Sequence, residues 1–271
     1  MTDSLPPLRD VINQYGLRAK KSFGQNFLLD LNLTGRIARS AGSLEQTNVI
    51  EIGPGPGGLT RALLSHGAKR VIAIERDLRC RPALDDISNA YPGKLELIEA
   101  DALEISPADL CPAPRQIIAN LPYNVATPLL IKWLREIDQF DRLTLMFQKE
   151  VADRLVAEPR SKAYGRLSVI AQWLCHVHQE FNVSKNAFTP PPKVTSTIVS
   201  LTPREKPLAE AKWEHLEQIT QAAFGQRRKM LRSSMKAFDL PLEKFGIPET
   251  ARAEELTVEQ FCALARALGN A

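Results

Sequence analysis

Four consecutive residues, Asn120-Leu121-Pro122-Tyr123, combine chemical groups that suit the binding of an aromatic amine. They follow an apolar run, residues 116–119, that predicts a buried strand, so we expect them at its carboxyl end. The Asn120 side-chain oxygen and the Leu121 carbonyl would accept the two N–H groups of a purine amine while Tyr123 stacks on the base. Asn and Pro are also ordinary turn residues, and the four residues alone fit a strand-ending turn equally well.

A glycine-rich turn upstream supplies the context for these four residues. It joins a predicted strand to a predicted helix, and Gly53, Gly55 and Gly58 fit the pattern G-x-G-x-x-G. Glu75 ends the next predicted strand about 20 residues later, where nucleotide-binding folds place an acid that accepts hydrogen bonds from ribose. Because glycine lets the backbone bend sharply and approach a ligand closely, the turn predicts a nucleoside-type ligand.

Two further acids narrow the choice of ligand. A nicotinamide enzyme would share the glycines and Glu75, but it would not require Glu51, two residues before the first glycine, or Asp101, just after the third predicted strand. Each of these acids alone also fits a strand-end cap. Together with Glu75 they form a series at strand ends, where open α/β sheets bind ligands. We therefore favour S-adenosylmethionine, with Glu51 at its cationic amino-acid end and Asp101 facing its adenine amine.

The order of predicted elements indicates an α/β fold. Short β-branched runs alternate with helix-compatible stretches, such as residues 59–66 and 128–137, which predicts a parallel sheet with helices on both faces. Residues 176–183 and 196–201 are also β-like, and the roughly dozen residues between them are too few for a helical crossover, so we expect an antiparallel pair at the sheet edge. The other predicted strands are residues 49–52, 71–74, 95–98, 116–119 and 143–147.

The last quarter of the chain has a different character. Residues 203–207 are predicted to be a linker, and three short amphipathic stretches follow at 213–224, 228–238 and 258–268. These stretches predict a small helical C-terminal domain.

The composition argues against a membrane-spanning or a secreted protein. The chain has 271 residues, 44% of them hydrophobic and 24% charged, which predicts one large domain or a large one with a small one. No apolar run approaches the roughly 18 residues of a membrane span, and the first residues lack the layout of a signal peptide. Four scattered cysteines, without metal-type spacing, predict reduced thiols in a cytoplasmic protein that needs no metal.

The net charge is only +4, but the basic residues are clustered. Runs of Lys or Arg usually form solvent-exposed faces, but such runs also serve to contact nucleic-acid phosphates. One cluster near the start holds Arg18, Lys20 and Lys21. The other falls within ten residues and holds Arg227, Arg228, Lys229, Arg232 and Lys236.

With these motifs in order, the sequence closely resembles the KsgA/RsmA-type ribosomal RNA adenine dimethyltransferases. The match covers nearly the whole chain except the first dozen or so residues. Besides residues 51–60 and the 120–123 tetrapeptide, the matching segments are Phe23-Gly24-Gln25-Asn26-Phe27-Leu28, Phe188-Thr189-Pro190-Pro191-Pro192-Lys193-Val194 and Phe224-Gly225-Gln226-Arg227-Arg228-Lys229.

The resemblance implies a class I methyltransferase fold, with a Rossmann-like, mostly parallel seven-stranded sheet that has an antiparallel edge. It also implies a small all-helical C-terminal domain. We expect a methyltransferase domain over residues 1–204, with a cofactor-closing segment at 13–30, and an RNA-binding domain over residues 205–271. The implied activity is dimethylation of N6 of two adjacent adenosines near the 3′ end of 16S rRNA, in the small (30S) subunit or its precursor. Also implied are a role in subunit biogenesis and a monomer that uses S-adenosylmethionine.

The resemblance also implies a role for each matching residue. Asn26 and Leu28 would close over the cofactor, and Gly53 would lie beside it. Asn120 would touch both cofactor and target, and Phe188 would stack on the base opposite Tyr123. The same resemblance implies the ribose role of Glu75 and the adenine role of Asp101. RNA phosphates would be contacted by Arg227, Arg228, Lys229 and Arg232.

Four other functions remain open at this point. A large-subunit rRNA adenine methyltransferase of the macrolide-resistance type shares the fold and cofactor residues, although Leu121 and the segment 188–194 favour the small-subunit group. A DNA adenine methyltransferase usually carries an acid or a second proline in its tetrapeptide. A ribosome-assembly factor with incidental catalysis is a binding-protein alternative. An oxidoreductase would bind a nicotinamide cofactor instead.

Overall fold

Internal contacts divide the chain into two compact units in the computed structural model, which describes residues 5–20, 23–226 and 229–269. The first unit takes its described residues from Met1–Lys149 and Gln179–Leu201. The second takes them from Glu150–His178 and Thr202–Ala271. Each unit has its own apolar core.

A seven-stranded sheet forms the centre of the fold, in the order β4-β3-β2-β5-β6-β9-β7. The first five strands in that order pair in parallel, because helical crossovers connect them, and β9 runs antiparallel to β6. The strands are β1 (Phe27–Leu28), β2 (Asn48–Ile52), β3 (Arg70–Glu75), β4 (Leu95–Glu99), β5 (Arg115–Ala119), β6 (Arg142–Gln148), β7 (Cys175–Val183), β8 (Phe188–Thr189) and β9 (Ser196–Pro203).

Helices follow most of the parallel strands, and further helices occur elsewhere in the chain. In chain order they are α1 (Leu8–Gln14), α2 (Leu31–Ser40), α3 (Gly58–Ser65), α4 (Arg81–Ala90), α5 (Tyr123–Leu134), α6 (Lys149–Leu155), α7 (Arg166–Leu174), α8 (Trp213–Gly225), α9 (Leu231–Ser234) and α10 (Val258–Gly269). The sheet order and its antiparallel strand confirm the α/β class predicted from the sequence.

The central strands are buried because their residues are almost continuously apolar. Val49 and Ile50 of β2 are fully buried, as are Val71 of β3 and Ile118 of β5. Such runs are typical of parallel strands covered on both faces. The five predicted parallel strands therefore match β2 to β6 with shifts of at most one residue at their ends.

At the antiparallel edge, a partly buried ion pair and a hydroxyl tie three strands together. Glu180 of β7 accepts from Arg142 of β6 at 2.8 Å and from Ser200 of β9 at 2.7 Å. The two predicted edge strands are thus present, but β9 lies between β6 and β7 and pairs with both.

The second unit contains more than the predicted C-terminal helices. Tyr164, Val169 and Trp173 share one apolar core with Leu216 and Phe261. Residues 150–178 therefore pack with the C-terminal helices, whereas the sequence placed them in the first domain. The domain boundary at 204/205 stays a prediction.

The predicted helix over residues 228–238 is only partly present in its described part. Helix α9 covers only Leu231–Ser234, and a single 3₁₀ turn follows at Lys236–Phe238. The reason is tertiary: the Leu231 amide donates at 2.7 Å to the Ala251 carbonyl, and Met230 before it has an extended backbone. Arg227 and Arg228 lie outside the described residues.

Candidate active site

The carboxyl ends of β2, β3, β4 and β5 meet at one edge of the sheet and open into a pocket of the first unit. The volume of the pocket, including the solvent space at its open mouth, is about 1100 Å³. All the predicted cofactor residues lie in its lining: Asn26, Leu28, Glu51, Gly53, Gly55, Glu75, Asp101 and Asn120. Leu121, Pro122 and Tyr123 line it as well.

The glycine turn brings backbone N–H groups toward an acid. Gly55 has a φ of +56°, and its amide donates to Glu75 Oε2 at 2.9 Å. A Cβ on Gly55 would lie 3.2 Å from the Phe27 ring. At Gly58 a Cβ would lie 2.7 Å from the Leu28 carbonyl oxygen, so only glycine lets α3 approach β1 this closely.

Glu75 ends β3 and is only 7% exposed. Its second oxygen, Oε1, accepts from the Asp77 amide at 2.8 Å. Burial raises the pKa of Glu75, and these amide hydrogen bonds offset part of the rise. A carboxylate oxygen accepts more than one hydrogen bond, so each oxygen retains capacity for a ribose hydroxyl.

Glu51, on β2, is the most deeply buried acid of the pocket, at 1% exposure. Its Oε2 atom is buried without a hydrogen-bond partner among the described residues. Burial raises the pKa of Glu51 to about 8, Thr60 offsets part of the rise, and the nearby Glu75 adds to it. A buried acid with one oxygen lacking a partner is a site for a cation or a donor, which fits the ammonium end of S-adenosylmethionine.

Asp101 follows β4 and is half-buried. Its Oδ1 accepts from the Leu103 amide at 3.0 Å, which shapes the loop, and its Oδ2 pairs with the exposed Arg76 at 3.0 Å. Oxygens of this kind accept from an adenine amine.

Asn120 is held through its nitrogen. Its Nδ2 donates to the Asn26 carbonyl at 3.3 Å, so the side-chain oxygen is the atom that the amide presents elsewhere. Pro122 then caps helix α5, because its carbonyl accepts from the amides of Val125 and Ala126. The tetrapeptide is therefore both the end of β5 and the start of α5.

Tyr123 is fixed by a residue that the sequence did not single out. Its hydroxyl lies 2.6 Å from Ser196 Oγ, at the start of β9. Burial raises the pKa of Tyr123, so the phenol stays neutral. Ser196 follows the proline-rich segment by only a few residues, which is the single signal that could have indicated it.

Phe188 does not reach the described lining of the pocket. Phe188 and Leu28 are register partners in the short antiparallel ladder of β8 with β1, and the Phe188 side chain is 3% exposed within the apolar core. The structure thus places Phe188 as a buried anchor of the proline-rich loop, and its predicted stacking on a base stays a prediction. The same ladder joins the loop to the segment that carries Asn26.

The predicted RNA contacts are described only in part. Lys229 and Arg232 are exposed, and Arg232 pairs with Glu249 at 3.1 Å. Because α9 begins at Leu231, Lys229 lies before the helix rather than on it. Arg227 and Arg228 fall outside the described residues.

Two further pocket residues were missed by sequence reasoning. Phe23 lines the pocket, with the Arg76 guanidinium 5.4 Å from its ring centre, and Gln25 lies beside it. Their only signal was membership of the segment 23–28.

No helix in the described part of the chain is long and apolar enough to cross a membrane, and no group of three or more metal-ligating side chains occurs there.

The mostly parallel sheet, its antiparallel edge and the acids at the strand ends define a class I methyltransferase. Among solved structures, a dimethyladenosine transferase from Plasmodium falciparum is similar, with a TM-score of 0.76, 26% identity and coverage of 89% of this chain and 96% of that chain. The 23S rRNA methyltransferase ErmE is similar at a TM-score of 0.70 and 29% identity, over 90% of this chain and 100% of that chain.

Sequence comparisons carry the identification further. The family model described as ribosomal RNA adenine dimethylase matches residues 16–269. The ribosomal RNA small subunit methyltransferase A of Paramagnetospirillum magneticum is 64% identical over 268 residues, 97% of this chain and 95% of that relative. The protein of the same name from Rhodospirillum rubrum is 63% identical over 272 residues, 99% of this chain and 94% of that relative. The chain belongs to the ribosomal RNA adenine dimethylase family and is a methyltransferase.

Proposed function

We propose that this protein dimethylates N6 of two adjacent adenosines near the 3′ end of 16S rRNA within the small ribosomal subunit, with S-adenosylmethionine as methyl donor. The names of the relatives from Paramagnetospirillum magneticum and Rhodospirillum rubrum support the small-subunit substrate. The observation that carries the proposal is the orientation of Asn120. Its nitrogen is held by Asn26, which leaves its oxygen to accept from an adenine amine.

In the proposed reaction the protein makes a poor nucleophile reactive. The cofactor supplies an activated methyl group, whereas the lone pair of an adenine amine is delocalised into the ring. Hydrogen bonds from the amine to the Asn120 oxygen and the Leu121 carbonyl favour a pyramidal nitrogen with a localised lone pair. Holding that nitrogen in line with the methyl group is the kind of positioning worth on the order of 7–11 kcal/mol.

The remaining residues bind and orient. Tyr123 stacks on the target base, a contact typically worth roughly 1–3 kcal/mol, with its ring held through Ser196. Glu51 binds the cationic end of the cofactor, Glu75 the ribose and Asp101 the adenine amine. A dedicated general base is not required, because the proton on nitrogen becomes acidic once the methyl group is attached.

The wider assignments are proposed with it. Residues 1–204 act as the methyltransferase domain and residues 205–271 contact RNA phosphates through the basic cluster of residues 227–232. The protein acts as a cytoplasmic monomer, without a metal, on the 30S subunit or its precursor. Release after methylation would couple the enzyme to subunit biogenesis.

Methylation of large-subunit rRNA is the second candidate, and the similarity to ErmE, a 23S rRNA methyltransferase, favours it. The two candidates are separated by incubating the protein with tritiated S-adenosylmethionine and either unmethylated small subunits or large subunits. We expect label only in the small-subunit RNA. Label in the large-subunit RNA alone would establish the second candidate. Calorimetry with NAD as a control ligand excludes the oxidoreductase if only S-adenosylmethionine binds.

A further inference from the structure

A buried carboxylate just beyond Glu75 plays no part in the site as described so far. Asp77 is 3% exposed and lies two residues after the ribose acid. Its carboxylate accepts from Arg79 Nε at 2.9 Å and from Gln25 Nε2 at 2.8 Å. Burial alone would raise the pKa of Asp77, but the hydrogen bonds from Arg79 and Gln25 outweigh it and hold the pKa below its ordinary value. Asp77 is therefore a charged acceptor two residues beyond the pocket-lining Glu75.

Gln25 reaches this carboxylate from a different part of the chain. Its amide nitrogen binds Asp77, while its Oε1 accepts from the Lys20 amide at 3.0 Å. Arg79 strengthens the same junction, because its Nη1 donates to the Arg18 carbonyl at 3.2 Å. One glutamine side chain thus ties the segment before the pocket to the turn that follows β3.

Both ends of this junction lead to groups that bind or orient ligands. On one side the Asp77 amide donates to Glu75 Oε1 at 2.8 Å. On the other side Gln25 is followed directly by Asn26, whose carbonyl holds Asn120 Nδ2 at 3.3 Å. The hydrogen bonds therefore run from the ribose acid, through Asp77 and Gln25, to the amide that would orient the target amine.

We propose that Gln25 is a positioning residue of the methyltransferase site: by joining Asp77 to the backbone of Lys20, it holds residues 23–28 over the cofactor pocket and sets the placement of Asn120. This inference rests on the proposed roles of Glu75 and Asn120. It assigns Gln25 no contact with the reacting atoms. Its effect is on how tightly the cofactor is held and how often the site is assembled.

The first test removes the junction. Gln25→Leu keeps a branched side chain, one bond shorter, and deletes its donor and acceptor. We expect the Kd and KM for S-adenosylmethionine to rise about tenfold, the factor expected for loss of one hydrogen bond to a charged group. The value of kcat falls less, because the reacting groups are unchanged. Gln139→Leu, at an exposed glutamine of the same unit, is the matched control and leaves both constants unaltered.

The second test exchanges the partners and separates a pairing from a general loss of stability. Gln25→Glu places two carboxylates together, and Asp77→Asn removes the charged acceptor, so each single variant weakens binding. The double exchange, Gln25→Glu with Asp77→Asn, restores the hydrogen bond in the opposite direction. Position 77 then donates, and position 25 carries the charged acceptor. We expect it to recover affinity to within about threefold of wild type. The thermal midpoint of every variant is measured alongside.

Two results overturn the inference. One is a Gln25→Leu protein that binds S-adenosylmethionine as tightly as a wild type shown to bind it. The other is a double exchange no better than the weaker single variant. If the wild type itself fails to bind S-adenosylmethionine, the proposed function is contradicted, and this inference with it. If the wild type binds and either of the two results above is found, only this inference is contradicted.

Discussion

At the scale of single residues, the site depends on which atom of each polar group is already engaged. Asn120 is held by its nitrogen, Glu75 uses both oxygens on backbone amides, and Glu51 keeps one buried oxygen without a described partner. The sequence predicted these residue types and their order at the strand ends. It could not predict the engaged atoms, because those depend on the folded positions of the glycine turn beside Glu75 and of residues 23–28 beside Asn120.

Phe188 is a second residue whose surroundings the sequence alone could not predict. The family resemblance implied that Phe188 stacks on a base, a role that stays a prediction, and its ring lies in the apolar core. Sequence alone does not separate the two uses, since an aromatic ring gains from burial in either environment.

The first prediction concerns Asn120. Asn120→Ala removes the oxygen that accepts from the target amine and the tie to Asn26. We expect methyl transfer to fall by about 10²-fold or more, the usual cost of a misplaced reacting group, while RNA binding changes little. Filter binding and tritiated methyl incorporation measure the two effects. Asn89→Ala, at an exposed site on α4, is the control. Equal losses in both measurements would contradict the assigned role.

The second prediction concerns Glu51 and pH. With a pKa of about 8, Glu51 is mostly protonated at pH 7 in the ligand-free protein. An ammonium group beside it favours the carboxylate, so binding of S-adenosylmethionine lowers the pKa and releases close to one proton at pH 7. The release disappears well above pH 8, where the acid is already ionised.

Calorimetry at pH 7 in two buffers of different ionisation enthalpy measures this release. Glu51→Gln retains the shape of the side chain without a titratable proton, and we expect the released proton to be lost in that variant. A wild type that releases no more protons than Glu51→Gln would show that Glu51 does not face the cationic end of the cofactor.

At the scale of elements, the central strands were predictable because each is a continuous apolar run. The ladder of β1 with β8 was not, since two-residue strands carry no periodicity and their partners are about 160 residues apart in the chain. That ladder is nevertheless what joins two of the motifs. The shortening of the predicted helix at 228–238 has a similar cause, because a tertiary hydrogen bond to Ala251 sets the start of α9.

Helix α5 holds the loop that follows Asp101, and this supplies the third prediction. Lys132 Nζ donates to the carbonyls of Ala102, Leu103 and Ile105 at 3.1, 2.7 and 2.6 Å. Lys132→Met deletes these donors but keeps a long apolar side chain. We expect the loop to loosen and the affinity for S-adenosylmethionine to fall about tenfold.

The control for Lys132 is the same change at Lys94, an exposed lysine just before β4, at the opposite end of the strands from the pocket. Calorimetry compares the two variants with wild type. If Lys132→Met binds the cofactor as Lys94→Met does, α5 does not position the adenine side of the pocket.

At the scale of the whole molecule, the second unit carries the candidate contacts to RNA. Lys229 and Arg232 are exposed, so their charges are available to phosphates, although Glu249 partly offsets Arg232. Reversing Lys229 and Arg232 to Glu is expected to weaken RNA binding in low salt. The salt slope should fall by about one for each phosphate that the protein no longer neutralises.

Filter binding over a series of salt concentrations measures that slope. Lys69→Glu, at an exposed lysine just before β3 in the first unit, changes a charge outside the proposed phosphate-binding residues and serves as the control. A slope that is unchanged in the double reversal would make this cluster an ordinary solvated face.

The central claim is that this chain dimethylates adenine through the site at the end of β5. The most direct test is mass spectrometry of small-subunit RNA after incubation of unmethylated subunits with the protein and S-adenosylmethionine. The account predicts N6,N6-dimethyladenosine at two adjacent positions in one fragment near the 3′ end, and none with Asn120→Ala. Methyl groups on other atoms, on other bases or on no base at all would contradict it.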